Sequence, residues 1–215
     1  MPRKTFVNRI TSSELIEKIE PKNIKWAEKF LKEKSIRTSP KTIKIYESNL
    51  NIFFTWNLLN NDNKEFTNIK KIEFSEFFSF AVDEMRLGSA RLNNIRSTLS
   101  SLSLFIEKFY DEEYPTFRNV ILNVIESAPK EVRREKTILT DEQIEKLLDH
   151  LRDTDKQQAC WLALAITSGA RISELLIFET DLIDVNRTAF GDLFLETTRQ
   201  IKTKGRGKSG KLLYK

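Results

Sequence analysis

Cysteine, histidine, glycine and proline are all scarce in this sequence of 215 residues, and each shortage excludes a class of protein. The single cysteine, Cys160, cannot build a disulfide scaffold or a cysteine-rich zinc site, and it is typical of a reducing compartment. The single histidine, His150, excludes any mechanism that needs two imidazoles on this chain. With 6 Gly, 5 Pro and 40% hydrophobic residues, the composition is that of a globular protein rather than a disordered or fibrous one.

Long apolar runs are also missing. No stretch approaches the roughly 18 consecutive apolar residues that a membrane span requires. The first ten residues contain three basic side chains and lack the apolar core of a secretion signal. The sequence therefore predicts a cytoplasmic protein that does not associate with membranes.

The positive charge of the chain is concentrated at its C-terminal end. The sequence has 36 Lys and Arg against 31 Asp and Glu, for a net charge of +5. The last 17 residues contain seven of the basic residues and no acidic one, so the rest of the chain is close to neutral. These seven are Arg199, Lys202, Lys204, Arg206, Lys208, Lys211 and Lys215. Because such a row of cations can neutralise successive phosphates, this segment predicts contact with nucleic acid.

After an N-terminal segment, residues 1–20, apolar residues recur at helical spacing over residues 21–128 and predict a helical domain. The predicted helices begin at Pro21, Pro40, Glu73, Ser89 and Pro115. At this spacing the phenylalanines, 15 in the whole chain, are predicted to pack in a core rather than to stack on bases. The predicted apolar faces extend to Val82 and Phe109.

A polar stretch, residues 129–138, is predicted to link this domain to a second one at 139–215. The second domain begins with a capping-box pattern, in which Thr140 is the N-cap and Gln143 follows three residues later. The almost wholly apolar run 159–167 then predicts a buried helix.

Glycine and turn residues shape the rest of the second domain. Gly169 is placed to end the apolar helix in the left-handed conformation. Asn186-Arg187 predicts a turn, and residues 188–200 predict extended structure.

Between these elements, Arg171 and Glu174 stand three residues apart at the predicted start of a short helix. At this spacing the two side chains share a face, so the carboxylate can hold the guanidinium as an oriented anion-binding group. From the spacing alone, a purely structural ion pair is the commoner explanation, since such pairs are frequent on helices.

The segment Ser168–Leu175 resembles the arginine box of the tyrosine recombinase, or phage integrase, family. That box is commonly written T-G-x-R-x-S-E-L, and Ser168 stands in place of the usual threonine. Further segments resemble the family in order along residues 22–213: two DNA-clasping helices before the box, then a D-I-D segment and a lysine-carrying β-hairpin. They are Ser39–Thr42 with Tyr46, Leu99–Leu102 with Phe105, Asp181–Asp184, and Lys202–Gly205.

The resemblance implies a mainly α protein. Its first part is a helical core-binding domain of the SAM-like type, and its second part is a truncated mixed α+β catalytic domain with a small antiparallel sheet. By the same resemblance, Arg171 stabilises the scissile phosphate with Glu174 as its support. Lys204 donates the proton to the leaving 5′-oxygen, with Lys202 as the alternative. The chemistry implied is DNA strand cleavage and rejoining through a 3′-phosphotyrosine.

The sequence departs from the family pattern after the hairpin. The His-x-x-Arg box and the later nucleophilic tyrosine are not found, and Tyr214 follows the hairpin too closely to be assigned as the nucleophile. We therefore expect an N-terminal fragment that does not cleave DNA alone. Intact relatives are expected to act as tetramers on DNA, whereas this fragment is expected to be monomeric. No cofactor or metal is indicated, and Asp181 and Asp184 are interpreted as turn and cap residues.

Contact with double-stranded DNA is the predicted function of the chain itself. Eight polar residues are candidates for DNA binding, five on predicted helix faces and three in the basic segment. They are Lys41, Lys44, Arg91, Asn94 and Thr98, and Lys202, Arg206 and Lys208. One alternative is a non-enzymatic helical DNA-binding regulatory protein with a basic tail. An RNA-binding or protein-interaction module has less support, because no aromatic platform lies beside basic residues.

Overall fold

The computed structural model describes residues 9–121, 125–127, 138–189, 194–203 and 211–213. The chain divides into two compact units, Met1–Arg133 and Arg134–Lys215. The predicted linker, residues 129–138, spans the point of division, but apart from Ile138 it lies outside the described residues. No helix in the described ranges combines the length and the apolar character that crossing a bilayer requires.

The described part of the first unit is helical. Its α-helices are α1 (Ser13–Ile16), α2 (Pro21–Ser35), α3 (Pro40–Asn60), α4 (Lys71–Asp83) and α5 (Ser89–Phe109), with a 3-10 turn at Phe66–Asn68. Helices α2 and α3 begin at prolines, whose fixed φ suits the first helical position. The Ser39 side chain caps α3 by accepting a hydrogen bond from the Thr42 amide at 3.3 Å. The predicted starts at Pro21, Pro40 and Ser89 are thus confirmed.

An aromatic cluster fills the core between these helices. Phe53 is fully buried, stacks on Phe74 at 5.5 Å and meets Phe77 edge to face at 4.9 Å. Seven phenylalanines of the first unit are buried, so the interpretation of phenylalanines as core residues is confirmed for most of those described there. The prediction of burial is wrong for two residues: Val82 is 49% exposed and Phe109 is 62% exposed. Both lie at the last turn of a helix, where the apolar stripe runs past the elements that cover it.

Buried asparagines fix the loop between α3 and α4. The side-chain amides of Asn23 and Asn57 both donate to the Lys64 carbonyl oxygen at 2.8 Å, and the Asn23 amide oxygen accepts from the Phe66 amide at 2.7 Å. Asp62 and Asn63 adopt positive φ angles of 53° and 50°, which Asn and Asp tolerate better than most residues. These contacts give buried backbone groups partners that no regular element supplies.

The predicted helix opening at Pro115 is wrong for the described residues 115–120, which form a turn and irregular structure. Asn119 organises this segment instead. Its side chain donates to the Ser100 hydroxyl at 2.8 Å and accepts from the Ile121 amide at 3.1 Å. Local bonds of this kind compete with helix formation.

The first unit should lose stability in acid. Burial alone raises the pKa of Glu73, but hydrogen bonds from Lys64 and from the Lys70 amide outweigh it and hold the pKa below its ordinary value. The pKa of Glu65 is also lowered, because Lys22 and Tyr114 donate to its carboxylate against the effect of burial. A lowered folded-state pKa contributes stability that is complete above the ordinary glutamate pKa and disappears as the pH falls through the folded-state value. Urea midpoints should therefore fall between pH 6 and pH 3, and less steeply in Glu73→Gln. Parallel profiles for the two proteins would contradict this explanation.

In the second unit, the described helices are α6 (Asp141–Thr154), α7 (Lys156–Ser168) and α8 (Ile172–Leu175), followed by a 3-10 turn at Thr180–Leu182. The predicted capping box is present, with Thr140 Oγ1 accepting from the Gln143 amide at 3.3 Å and the Thr140 amide donating to Gln143 Oε1 at 3.0 Å. Gly169 follows α7 with φ 57°, as predicted. The prediction that α7 is buried is wrong: Ala159 is buried, but Trp161 and Ile166 are 38% and 44% exposed.

The strands correct the predicted fold class. The fold class predicted one small antiparallel sheet, and this prediction is wrong because the described strands do not join into a single sheet. The strands β1 (Ile183–Ala189), β2 (Phe194–Thr197), β3 (Ile201–Thr203) and β4 (Lys211–Leu213) form two separate antiparallel pairs, β1 with β2 and β3 with β4. The predicted turn at Asn186-Arg187 is also wrong, because both residues lie within β1 beside an irregularity in the strand register.

Candidate nucleic-acid interface

The junction between α7 and α8 places Arg171. The left-handed Gly169 turns the chain at the end of α7, and the Ser168 hydroxyl bonds to the Leu164 carbonyl and accepts from the Ala170 amide. Arg171 is then the N-cap residue of α8, with φ −73° and ψ 153°. The sequence S-G-A-R thus delivers an arginine to the first turn of a helix.

Glu174 holds Arg171 through two contacts. One carboxylate oxygen accepts from the Arg171 backbone amide at 3.0 Å, and the other accepts from Arg171 Nη1 at 3.0 Å. The Glu174 side chain is only 2% exposed, whereas the Arg171 side chain is 59% exposed. The pair therefore consists of a buried anchor and an exposed guanidinium. A planar, permanently charged group held in this way can bind a phosphate or carboxylate through its remaining N–H donors.

Strand β3, which lies near the start of the basic segment, packs against this site. Helix α8 contacts β3, and Ile201 at the start of β3 is 4% exposed. The backbone of Lys202 is therefore close to the helix that carries Arg171. Lys204, Arg206 and Lys208 lie outside the described residues.

Arg199 differs from the expectation for the basic segment. Its Nη1 bonds to Asp181 Oδ2 at 2.9 Å, and its Nη2 lies 3.6 Å from Glu179 Oε2. The interpretation of Asp181 as a simple turn residue is thus incomplete, because its side chain holds an arginine 18 positions later. The pair follows from the observed strand register, since extending the β1–β2 ladder by two positions beyond Ile183 and Thr197 brings Asp181 opposite Arg199.

In the first unit, four of the five candidate DNA contacts lie on an accessible surface of α3 and α5. Lys41, Lys44 and Asn94 are exposed, and Arg91 donates from Nη2 to the Ser48 hydroxyl at 2.8 Å. Partial burial lowers the pKa of the Arg91 guanidinium. We call Lys41, Lys44, Arg91 and Asn94 the α3–α5 surface.

The prediction that Thr98 contacts DNA is wrong, because its side chain is fully buried beneath the α3–α5 surface. Its hydroxyl accepts from the Asn49 amide at 2.7 Å and donates to the Asn94 carbonyl at 2.8 Å. Thr98 therefore joins α3 to α5 and offers no atom to an external ligand.

Other reactive residues are not gathered into a site. His150 is exposed on α6, and Cys160 is exposed on α7. Within the ranges the structure covers, no group of three or more His, Cys, Asp or Glu side chains is arranged to hold a metal ion. Tyr214 lies outside those ranges.

Comparison with known proteins adds one relative. No family model matches the chain. The chain is 28% identical over 172 residues to the SPbeta prophage-derived recombinase-like protein YomM of Bacillus subtilis (strain 168). The alignment covers 78% of this chain and 50% of that relative, so the chain spans about half the relative's length. Over most of its length, the chain is therefore similar to a recombinase-like protein.

Proposed function

We propose that this chain takes part in DNA recombination as the DNA-binding part of a site-specific tyrosine recombinase. The observation that carries the proposal is the exposed Arg171 guanidinium, which the buried Glu174 carboxylate fixes in orientation. The contact between α8 and β3 supports the proposal, because β3 lies near the start of the basic segment and reaches the same site. The similarity to a recombinase-like prophage protein supports the same class of function.

In this proposal, Arg171 binds the non-bridging oxygens of the scissile phosphate. Attack by a tyrosine on that phosphate concentrates negative charge on those oxygens, and a guanidinium offers two parallel donors and a charge that is never lost. Glu174 contributes by holding the plane of the guanidinium. A lysine of the basic segment, Lys204 or alternatively Lys202, protonates the leaving 5′-oxygen.

The α3–α5 surface contacts the duplex from the first unit. Lys41 and Lys44 neutralise backbone phosphates, and Arg91 and Asn94 present donors and an amide from the neighbouring helix. The bond from Arg91 to Ser48 fixes the guanidinium between the two helices, so less side-chain freedom is lost on binding. Phosphate contacts of this kind supply affinity for any duplex, and base contacts add the choice of site.

The test is duplex binding by Arg171→Ala, with Arg152→Ala as the matched control. Arg152 is also an exposed arginine paired at i,i+3, because its Nη1 lies 2.8 Å from Asp149 Oδ1. Loss of a charge-assisted phosphate contact at Arg171 should weaken binding by about tenfold in a fluorescence anisotropy titration at low salt. Arg152→Ala should change the affinity less than twofold. Arg171→Lys should fall between them, because it keeps the charge and loses the second donor.

Melting curves separate the proposal from its rival. Arg171→Ala removes the bond from the guanidinium to the buried Glu174 carboxylate, so some loss of stability is expected in either case. Equal affinities for Arg171→Ala and Arg152→Ala, with a lower melting temperature only for Arg171→Ala, would favour a non-enzymatic DNA-binding protein in which the ion pair is structural.

A further inference from the structure

Arg199 stands at a corner of the second unit, between the strand pair β1–β2 and the strand pair β3–β4. The Thr198 amide donates to the Leu182 carbonyl at 2.8 Å, and the Thr198 hydroxyl donates to the Asp181 carbonyl at 3.1 Å. The ion pair between Arg199 and Asp181 adds a side-chain contact one position further along the same ladder. Two residues later, β3 begins with the buried Ile201.

This corner connects the Arg171 helix to the basic segment in two ways. Glu179 and Asp181 follow α8 in the chain, and both carboxylates lie within reach of the Arg199 guanidinium. Strand β3, which begins two residues after Arg199, contacts α8 itself. Arg199 and β3, at the start of the basic segment, are therefore both connected to α8, the helix that presents Arg171.

We propose that Arg199 is a positioning residue, and that its ion pair with Asp181 sets the place of β3, which carries Lys202, against α8, the helix that presents Arg171. The inference rests on the proposed function, because the segment it positions is the one proposed to contact DNA. A direct phosphate contact by Arg199 is the competing role, and it is the one that the charge of the last 17 residues predicts.

The two roles predict opposite signs for Asp181→Asn. If Arg199 binds phosphate directly, this substitution releases the guanidinium and adds a positive charge, so duplex affinity should rise. If Arg199 is a positioning residue, the substitution loosens the corner, so duplex affinity should fall by about two- to fivefold despite the added charge. The modest size follows from the exposure of both side chains, 56% for Arg199 and 61% for Asp181. Because both side chains are exposed, replacing either of them leaves no cavity in the core.

The matched control is Asp149→Asn on α6. Asp149 is an exposed acid paired with an arginine, and its removal changes the net charge by the same amount. It should leave duplex affinity unchanged or slightly higher. Tighter or unchanged binding by Asp181→Asn would overturn the proposal.

Hydrogen exchange in the free protein tests the positioning role without DNA. Asp181→Asn should accelerate amide exchange at residues 201–203 by about two- to fivefold, while Asp149→Asn leaves those amides unchanged. Unchanged exchange in Asp181→Asn overturns the proposal whether or not the protein binds DNA. Failure of the wild-type chain to bind duplex, together with faster exchange in the variant, counts against the proposed function and leaves the positioning role supported.

Discussion

Replacement of Phe53 by alanine should lower the free energy of unfolding of the first unit by about 4 kcal/mol, a typical cost for emptying a buried phenylalanine site. Phe53 is completely buried and packs against the rings of Phe66, Phe74 and Phe77 at centroid distances between 4.9 and 6.0 Å. The rings of this cluster come from three different segments of the chain, α3, the 3-10 turn and α4, so the cluster cannot close over the missing ring without moving a helix. Urea unfolding followed by tryptophan fluorescence measures the loss, because Trp26 and Trp56 are both buried in this unit.

The matched control is Phe109→Ala, which removes the same atoms from a side chain that is 62% exposed. Its ring contacts Phe105 at 5.2 Å, so a cost below about 1 kcal/mol is expected. Phe53→Leu should cost less than about 1.5 kcal/mol, because it conserves most of the volume. Similar losses for Phe53→Ala and Phe109→Ala would contradict the assignment of the core to the Phe53 cluster.

The helix starts were predictable from sequence because their signals are local. Ser39 with Thr42, and Thr140 with Gln143, supply both the donor and the acceptor of a cap within four residues. The loop after α3 was not predictable, since it depends on Asn23, which lies 41 residues before the carbonyl it binds. Hydrophobic periodicity identifies the apolar face of a helix, but it does not show how far along the helix that face is covered. It therefore could not predict that Phe109 extends past the core.

The candidate site also combines features that local sequence predicts with features that depend on tertiary packing. The pairing of Arg171 with Glu174 follows from a spacing of three residues on one helix, and it was predictable. That the carboxylate is buried and the guanidinium exposed depends on the packing of α7, α8 and β3, which no local pattern contains. The prediction that Thr98 contacts DNA was wrong because it rested on the sequence pattern of α5 alone. Thr98 lies away from the leucines of α5, but α3 covers it.

The ion pair of Arg199 changes how the C-terminal charge is interpreted. Composition treats the seven cations of the last 17 residues as equivalent. In the structure, the charge of Arg199 is already met by two acids, Glu179 and Asp181. Truncation before Arg199 is also a poor test of DNA binding, because it would remove Ile201 from the core. Substitution within the intact chain isolates the charges instead.

Four substitutions to glutamine, at Lys202, Lys204, Arg206 and Lys208, should have the largest effect on DNA binding. If each cation neutralises one phosphate, the slope of log affinity against log salt concentration should become shallower by about three to four units. Affinity at low salt should then fall by at least a hundredfold. A salt titration of duplex affinity by fluorescence anisotropy measures both quantities.

The control removes the same charge from the first unit. Lys18, Lys25, Lys70 and Lys71 are exposed and lie outside the α3–α5 surface, so changing all four to glutamine alters the net charge equally. General attraction between a positive protein and DNA predicts equal losses for the two quadruple variants, because it depends on total charge alone. Direct neutralisation of phosphates by the basic segment predicts a shallower slope for the first variant and a nearly unchanged slope for the second. Equal slopes would therefore assign the affinity to net charge and remove the basic segment from the proposed interface.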